Sequence, residues 1–348
     1  MRNLHKRILC TAAAAALAWP AQAQDLAETK LNVITMFSSL NGYKIVELPF
    51  WTEEIPERSG GKVTAEVATL DQLNLSGGEV MRLLALGTTD VASSAPVYLT
   101  SEVPAMGGLE LPGLFVDLNQ QREGMNAYRP VLEKIFEENY QAKLLAVWAL
   151  SPSMLFCRDP INSLHDLKGK KIRSWSVSLN TFFEQLGATP VSISFSETVP
   201  ALERGTIDCA PTGILSGNIA RWWEVANNLY LVPIGSGTWL NAMSLDKWNS
   251  LTPEVQAFMS QEMARFEDRM WDLAQQETDE GIACNTGEGE CTLGVKASMT
   301  VTSLSEAEMQ DFNQRVKQFV VDDWLEACSD TCKADWYASV GTLVGIAP

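Results

Sequence analysis

The stretch from Asp166 to Gly213, DLKGKKIRSWSVSLNTFFEQLGATPVSISFSETVPALERGTIDCAPTG, constrains the fold of this chain more than any other. It predicts a strand at Lys171–Trp175, an apolar helix at Leu179–Leu186 and a Gly-Ala-Thr-Pro turn. A second strand at Val191–Ser194, a helix at Glu197–Arg204 and a third strand at Thr206–Ala210 follow. Strands alternating with helices of this length are βαβ units, whose right-handed crossovers build a parallel sheet. Ligands of such sheets lie beyond the carboxyl ends of the strands. Arg173, Trp175 and Thr212 fall at such ends, which makes them candidate site residues.

The alternation recurs earlier in the chain. Strands are expected at Leu31–Met36, Lys62–Val67 and Asp90–Ala95, with helices at Gly42–Ser59 and Glu79–Leu86 between them. In the first helix Ile45, Leu48 and Trp51 share one face. Leu144–Leu150 is an apolar run suited to a strand buried on both faces. Pro253–Gly281 carries Val255, Phe258, Met263, Phe266, Met270 and Leu273 at helical steps, and Ser305-Glu306-Ala307-Glu308 is a capping box. A chain of 348 residues exceeds one ordinary core, so the class is α/β with two domains.

The first 23 residues read as a secretory signal peptide: a basic start (Arg2, Lys6, Arg7), an apolar run at Ile8–Trp19 and Ala21-Gln22-Ala23 as the cleavage site. Leu9 before Cys10 argues against lipidation, so the expected product is a soluble, exported periplasmic protein beginning near Gln24. Removing the leader's three cations takes the formal charge from −17 to about −20. Nucleic acid is thereby excluded as a partner, because a phosphate-binding face needs clustered Lys and Arg. The same surface charge favours a soluble monomer.

Cysteine spacing in an oxidising compartment suggests Cys284–Cys291 and Cys328–Cys332 as bonded pairs. Cys157 and Cys209 remain, either bonded as sheet neighbours or free as a buried pair. His165 is the only histidine beyond the leader, and no C-x-x-C occurs, so no metal or other cofactor is expected. A Ser-His-Asp triad is implausible on one loop histidine, and no nucleophile elbow, phosphate loop or zinc-protease motif is present. Nothing in the sequence supports an enzyme.

Arg173 ends an apolar strand, where a solvated arginine has little reason to sit. Two readings are open on the residues alone: a fork for a ligand carboxylate, or a salt bridge to Glu184 or Asp208.

DLKGKKIR, LGATPV and SETVPALERGTIDC, together with LPGLF at Leu111–Phe115, resemble the periplasmic solute-binding subunit of tripartite ATP-independent periplasmic (TRAP) transporters, the DctP type. The resemblance implies a two-lobed periplasmic binding protein fold, type II-like, with mixed sheets flanked by helices and one long helix shared by both lobes. Lobe I would take 24–149 plus 236–276, and lobe II 150–235 plus 277–348. It implies that Arg173 binds a substrate carboxylate and that a TRAP membrane permease is the partner. Sialic-acid-type members carry a second binding arginine where this chain has Ser153; Thr212 stands in place of an asparagine and Ala95 in place of a glutamate. Those departures argue against a polyhydroxylated sugar acid.

Aromatic walls are expected instead. Trp175 lies two residues past Arg173, Trp239 lies where the chain crosses back to the first lobe, and Tyr98 and Phe37 stand near strand ends facing the cleft. Ser94 and Thr212 are the expected hydroxyl donors, whereas Trp222 and Trp223 read as packing. The expected ligand is a planar, partly apolar monocarboxylate, with a C4-dicarboxylate or sugar acid as the alternative in the same transport role. A secreted ligand-sensing module or an enzyme on the same fold is the alternative of another class.

Overall fold

The computed structural model describes residues 26–115 and 117–348, so the expected leader and Cys10 lie outside the described residues. The strands are β1 (Thr29–Thr35), β2 (Val63–Thr69), β3 (Val91–Ser94), β4 (Ala142–Cys157), β5 (Lys171–Ser174), β6 (Thr189–Ser192), β7 (Cys209–Gly213), β8 (Asn228–Leu231), β9 (Ser236–Ser244) and β10 (Thr300–Ser303). They follow the order β2-β1-β3-β9-β4-β7-β5-β6, with β8 pairing both β4 and β10. β1 is parallel to β2 and β3, and β5 is parallel to β6 and β7, as the βα alternation requires. Antiparallel pairs join the two ends into a mixed sheet flanked by helices.

β4 does the joining. Its first part pairs with β9, and from Ser153 onward it pairs with β7. The register shifts between Ala149 and Pro152, where proline's missing N–H is tolerated. The apolar run Leu144–Leu150 is thus the first part of a longer strand. Cys157 and Cys209 face each other on β4 and β7 and are bonded, as are Cys284 with Cys291 and Cys328 with Cys332.

The long helix Pro253–Thr286 starts at Thr252, whose side chain accepts from the Val255 N–H, and ends at Gly287 with φ 79°. Val255, Phe258, Met263, Phe266, Met270 and Leu273, the positions its periodicity singled out, are buried. It runs along β4 and against the short helix Ile214–Ile219. At that crossing a Cβ on Gly281 would lie 2.3 Å from Ile214, so only glycine allows the approach.

Two sequence expectations need correction. In the Gly42–Ser59 region Ile45 is exposed, while Val46, Glu47, Phe50 and Trp51 are buried. Wide π turns over Gly42–Glu47 and Phe50–Glu54 rotate the inward face away from a 3.6-residue ladder. Glu47 turns inward as a result: one oxygen accepts from the Met36 N–H at 3.0 Å, and burial pushes the carboxyl up to about 7. The third strand of the organising stretch is Cys209–Gly213 rather than Thr206–Ala210, which brings Pro211, Thr212 and Gly213 into the sheet. The helix Leu118–Tyr140 has no counterpart in the sequence reading, because Pro130 interrupts its pattern.

Candidate ligand-binding site

A cavity lies at the carboxyl end of β5, between that strand, β7, β9 and the chain after β3. Phe37, Tyr98, Ser153, Arg173, Trp175, Thr212 and Trp239 all line it, so seven of the eight residues singled out from sequence meet at one place.

Arg173 is buried in the wall. Its Nε donates to the Ile193 carbonyl at 2.9 Å and its Nη1 to the Pro211 carbonyl at 3.0 Å. Trp175, Trp222 and Phe195 surround the guanidinium, at 4.8, 5.7 and 6.0 Å from their ring centroids. Among the described residues no carboxylate pairs with it: Asp208 accepts from the Lys171 N–H instead, and Glu184 is exposed. Burial lowers its pKa to about 10, partly offset by the Tyr98 hydroxyl, so it stays charged at neutral pH. Two carbonyls and three rings fix the fork in place without neutralising it. A buried cation in that state is costly to the fold, and an incoming anion relieves the cost.

Ser94 lies outside the cavity lining. Its hydroxyl donates to the Gly77 carbonyl at 3.0 Å, and the next residue, Ala95, lines the cavity. Alternation along β3 sends the two side chains to opposite faces. Arg158 and Lys171 are exposed and Lys170 pairs with Asp159 at 2.9 Å, so Arg173 is the one cation among the lining residues.

The opposite wall is aromatic. Phe37 stacks on Phe195 with centroids 5.6 Å apart, and the Trp239 ring stands edge-on to Phe37 and Tyr98 at 5.9 and 6.4 Å. Phe195 was outside the sequence reading because no regular strand or helix carries it. Trp222 packs as expected, against Phe156 and behind Arg173.

Glu110 also lines the cavity, and periodicity offers no signal for it. It sits in the loop after Pro104–Gly107, which Trp324 and Trp336 hold by donating from their indoles to the Pro104 and Gly108 carbonyls at 2.9 and 2.8 Å. Its Oε1 accepts from the Thr238 N–H at 2.8 Å. Burial pushes its carboxyl up to about 8, against the pull of the Thr238 donors.

An α/β fold whose cavity holds one buried cation among its described lining residues is suited to a small anion. The chain belongs to the bacterial extracellular solute-binding protein family 7 (DctP), whose model matches residues 35–326. That is a family of solute receptors, not of enzymes. The chain is similar to the C4-dicarboxylate-binding protein DctB of Bacillus subtilis, with 26% identity over 75% of this chain and 73% of that one. In fold it is similar to DctP7, an extracytoplasmic solute receptor of Bordetella pertussis crystallised with pyroglutamic acid: TM-score 0.80, 19% identity, 89% of this chain and 99% of that one covered. It is likewise similar to a TRAP periplasmic solute-binding protein of Desulfovibrio salexigens with bound orotic acid: TM-score 0.79, 18% identity, 90% and 99% covered. No described helix is long and apolar enough to cross a membrane.

Proposed function

We propose that this chain is a periplasmic receptor that captures a small organic acid through one carboxylate and delivers it to a TRAP-type membrane permease. The observation that carries the reading is the buried Arg173 fork, held by two carbonyls and free of any acidic partner among the described residues. A ligand carboxylate completes two charge-assisted hydrogen bonds there. The body of the ligand lies against Trp175 and Trp239, which favours a planar or partly apolar monocarboxylate. Pyroglutamic and orotic acids, bound by the two fold relatives above, each combine one carboxylate with one ring. The C4-dicarboxylate relative raises the other option, but a second carboxylate in this cavity finds the acid Glu110 and no second cation. The receptor works as a monomer whose lobes, near 24–149 plus 236–276 and 150–235 plus 277–348, close on the ligand.

A thermal-shift screen of the leaderless protein tests this. Ring monocarboxylates at 100 times their dissociation constant stabilise by about 2.7 kcal/mol. Succinate, malate and sialic acid at equal concentration give smaller shifts. A screen in which only the dicarboxylates stabilise would overturn the ligand class.

A further inference from the structure

We propose that Gly77 is a positioning residue for ligand binding. By carrying no side chain it seats the Tyr98 ring so that the phenol donates to the carboxylate held at Arg173. This deepens the carboxylate reading above and rests on it.

Gly77 is buried and opens the helix Gly77–Ala85, behind a capping box in which Ser76 and Glu79 exchange hydrogen bonds. A Cβ built on it would lie 2.1 Å from Cδ2 and 3.0 Å from Cε2 of Tyr98, so any side chain there displaces the ring. The helix start has little freedom to yield. Its capping box fixes it, and the Ser94 hydroxyl donates to the Gly77 carbonyl at 3.0 Å. Gly77 is not among the glycines with positive φ, so the demand is for space and not for backbone conformation. A Cβ on Gly78 would meet nothing closer than the Tyr98 carbonyl at 3.8 Å, an ordinary contact. The neighbouring glycine is thus a natural control.

The seat holds the phenol in the cavity. Tyr98 lines it together with Arg173, and Trp239 stands edge-on to the Tyr98 ring at 6.4 Å. The hydroxyl has no hydrogen-bond partner among the described residues, and it is not sealed from open space as those of Tyr140 and Tyr230 are. Among those residues Tyr98 is the one ionisable group whose charge bears on Arg173, so phenol and guanidinium serve the same part of the cavity. Glu110 also bears on the hydroxyl, but no hydrogen bond joins the two. Burial pushes the phenol's pKa up, which keeps it a donor at neutral pH. Carbonyls occupy the Nε hydrogen and one on Nη1 of Arg173, which leaves the outer edge of the fork for a ligand. An end-on fork fills one lone pair on each carboxylate oxygen, and each oxygen keeps another for a further donor. The phenol supplies that donor.

Calorimetry on the leaderless protein, with benzoate, orotate and pyroglutamate as probes, tests this. Tyr98→Phe removes the donor and keeps the ring, and is expected to weaken binding of a probe roughly 10–100-fold. Gly77→Ala moves donor and ring together and should weaken it at least as much, whereas Gly78→Ala should change it by no more than about twofold. In a Tyr98→Ala background there is no ring to displace, so adding Gly77→Ala should cost nothing further. A merely structural effect of the new methyl would persist there. The double variant should fold even if Gly77→Ala alone does not, and a double variant that also fails to fold would refute the seat. Wild-type affinity in Tyr98→Phe would remove the phenol from the site. Wild-type affinity in Gly77→Ala, an equal loss in Gly78→Ala, or a loss that persists in the Tyr98→Ala background would remove Gly77. In each of these cases, binding that is lost in Arg173→Ala leaves the carboxylate reading standing. Absence of binding by every probe, or binding that survives Arg173→Ala, would overturn both.

Discussion

The two walls of the cavity solve opposite electrostatic problems. On the β5 and β7 side a cation is buried among rings and carbonyls, with its anion left for the ligand to supply. On the side formed by β9 and the loop after Pro104–Gly107, the half-buried acid Glu110 has one oxygen tied to the Thr238 N–H. Salt bridges elsewhere in the molecule join their charges directly, as Arg129 joins Glu267. Here the Arg173 cation and the Glu110 acid, which burial shifts toward its protonated form, stand on different parts of the chain. A buried cation without an anionic partner is costly to the fold, and a bound anion would relieve that cost.

The sharpest way to break this comparison is to remove the cation. Arg173→Ala would leave a bound carboxylate desolvated and unpaired, a loss of roughly 3–5 kcal/mol, or two to four decades of affinity. The protein should remain folded, because losing a buried, unpaired charge relieves the native state. Arg173→Lys should also bind poorly, since an ammonium cannot span the fork's geometry. Calorimetry showing wild-type affinity in Arg173→Ala would remove Arg173 from the site.

The cationic wall was legible in the sequence and the acidic wall largely was not, for a physical reason. Arg173 sits in a βα unit, where strand ends are predictable from alternation and ligands gather by rule. Trp175 and Thr212 were found by the same argument. Glu110 lies in a loop whose position is set by distant tryptophans at 324 and 336, contacts that no local pattern encodes. Ser94 failed because strand-end proximity does not say which face a side chain takes. Glu47 was hidden by the π turns, which moved it inward and Ile45 outward. Had the turns been regular, the sequence periodicity would have served.

A smaller effect separates buried acids from the buried base by pH. Glu47 and Glu277 are both pushed by burial from the usual 4.5 to about 7 in the folded protein. Between those values the folded state holds protons that the unfolded state has released, so stability falls as pH rises through this window. One such group contributes about 1.4 kcal/mol per pH unit. Arg173, lowered to about 10, titrates above the window and adds nothing within it. Chemical denaturation at pH 5 and pH 7 should therefore show a loss of stability in the wild type, and a shallower loss in Glu47→Gln. An unchanged slope in that variant would mean that Glu47 is already ionised in the folded state.

The smallest expected effect lies where the two walls touch. Phe37 follows β1, Phe195 follows β6, and their rings stack with centroids 5.6 Å apart and planes 29° from parallel. Trp239 braces Phe37 edge-on from the β9 wall, and Phe195 lies beside the Arg173 guanidinium in the cationic wall. The contact thus links the aromatic wall to the cationic one without passing through the ligand. Aromatic pairs of this kind contribute about 0.5–1.5 kcal/mol beyond their buried area. Phe37→Ala should weaken ligand affinity by roughly two- to tenfold, by depopulating the closed form in which both walls reach the ligand. Phe195→Ala should do the same. If the stacking is what couples the walls, the double variant should cost less than the two single losses combined. Strict additivity in that cycle would show that each ring acts on the ligand independently, and that the walls are brought together by something other than this pair.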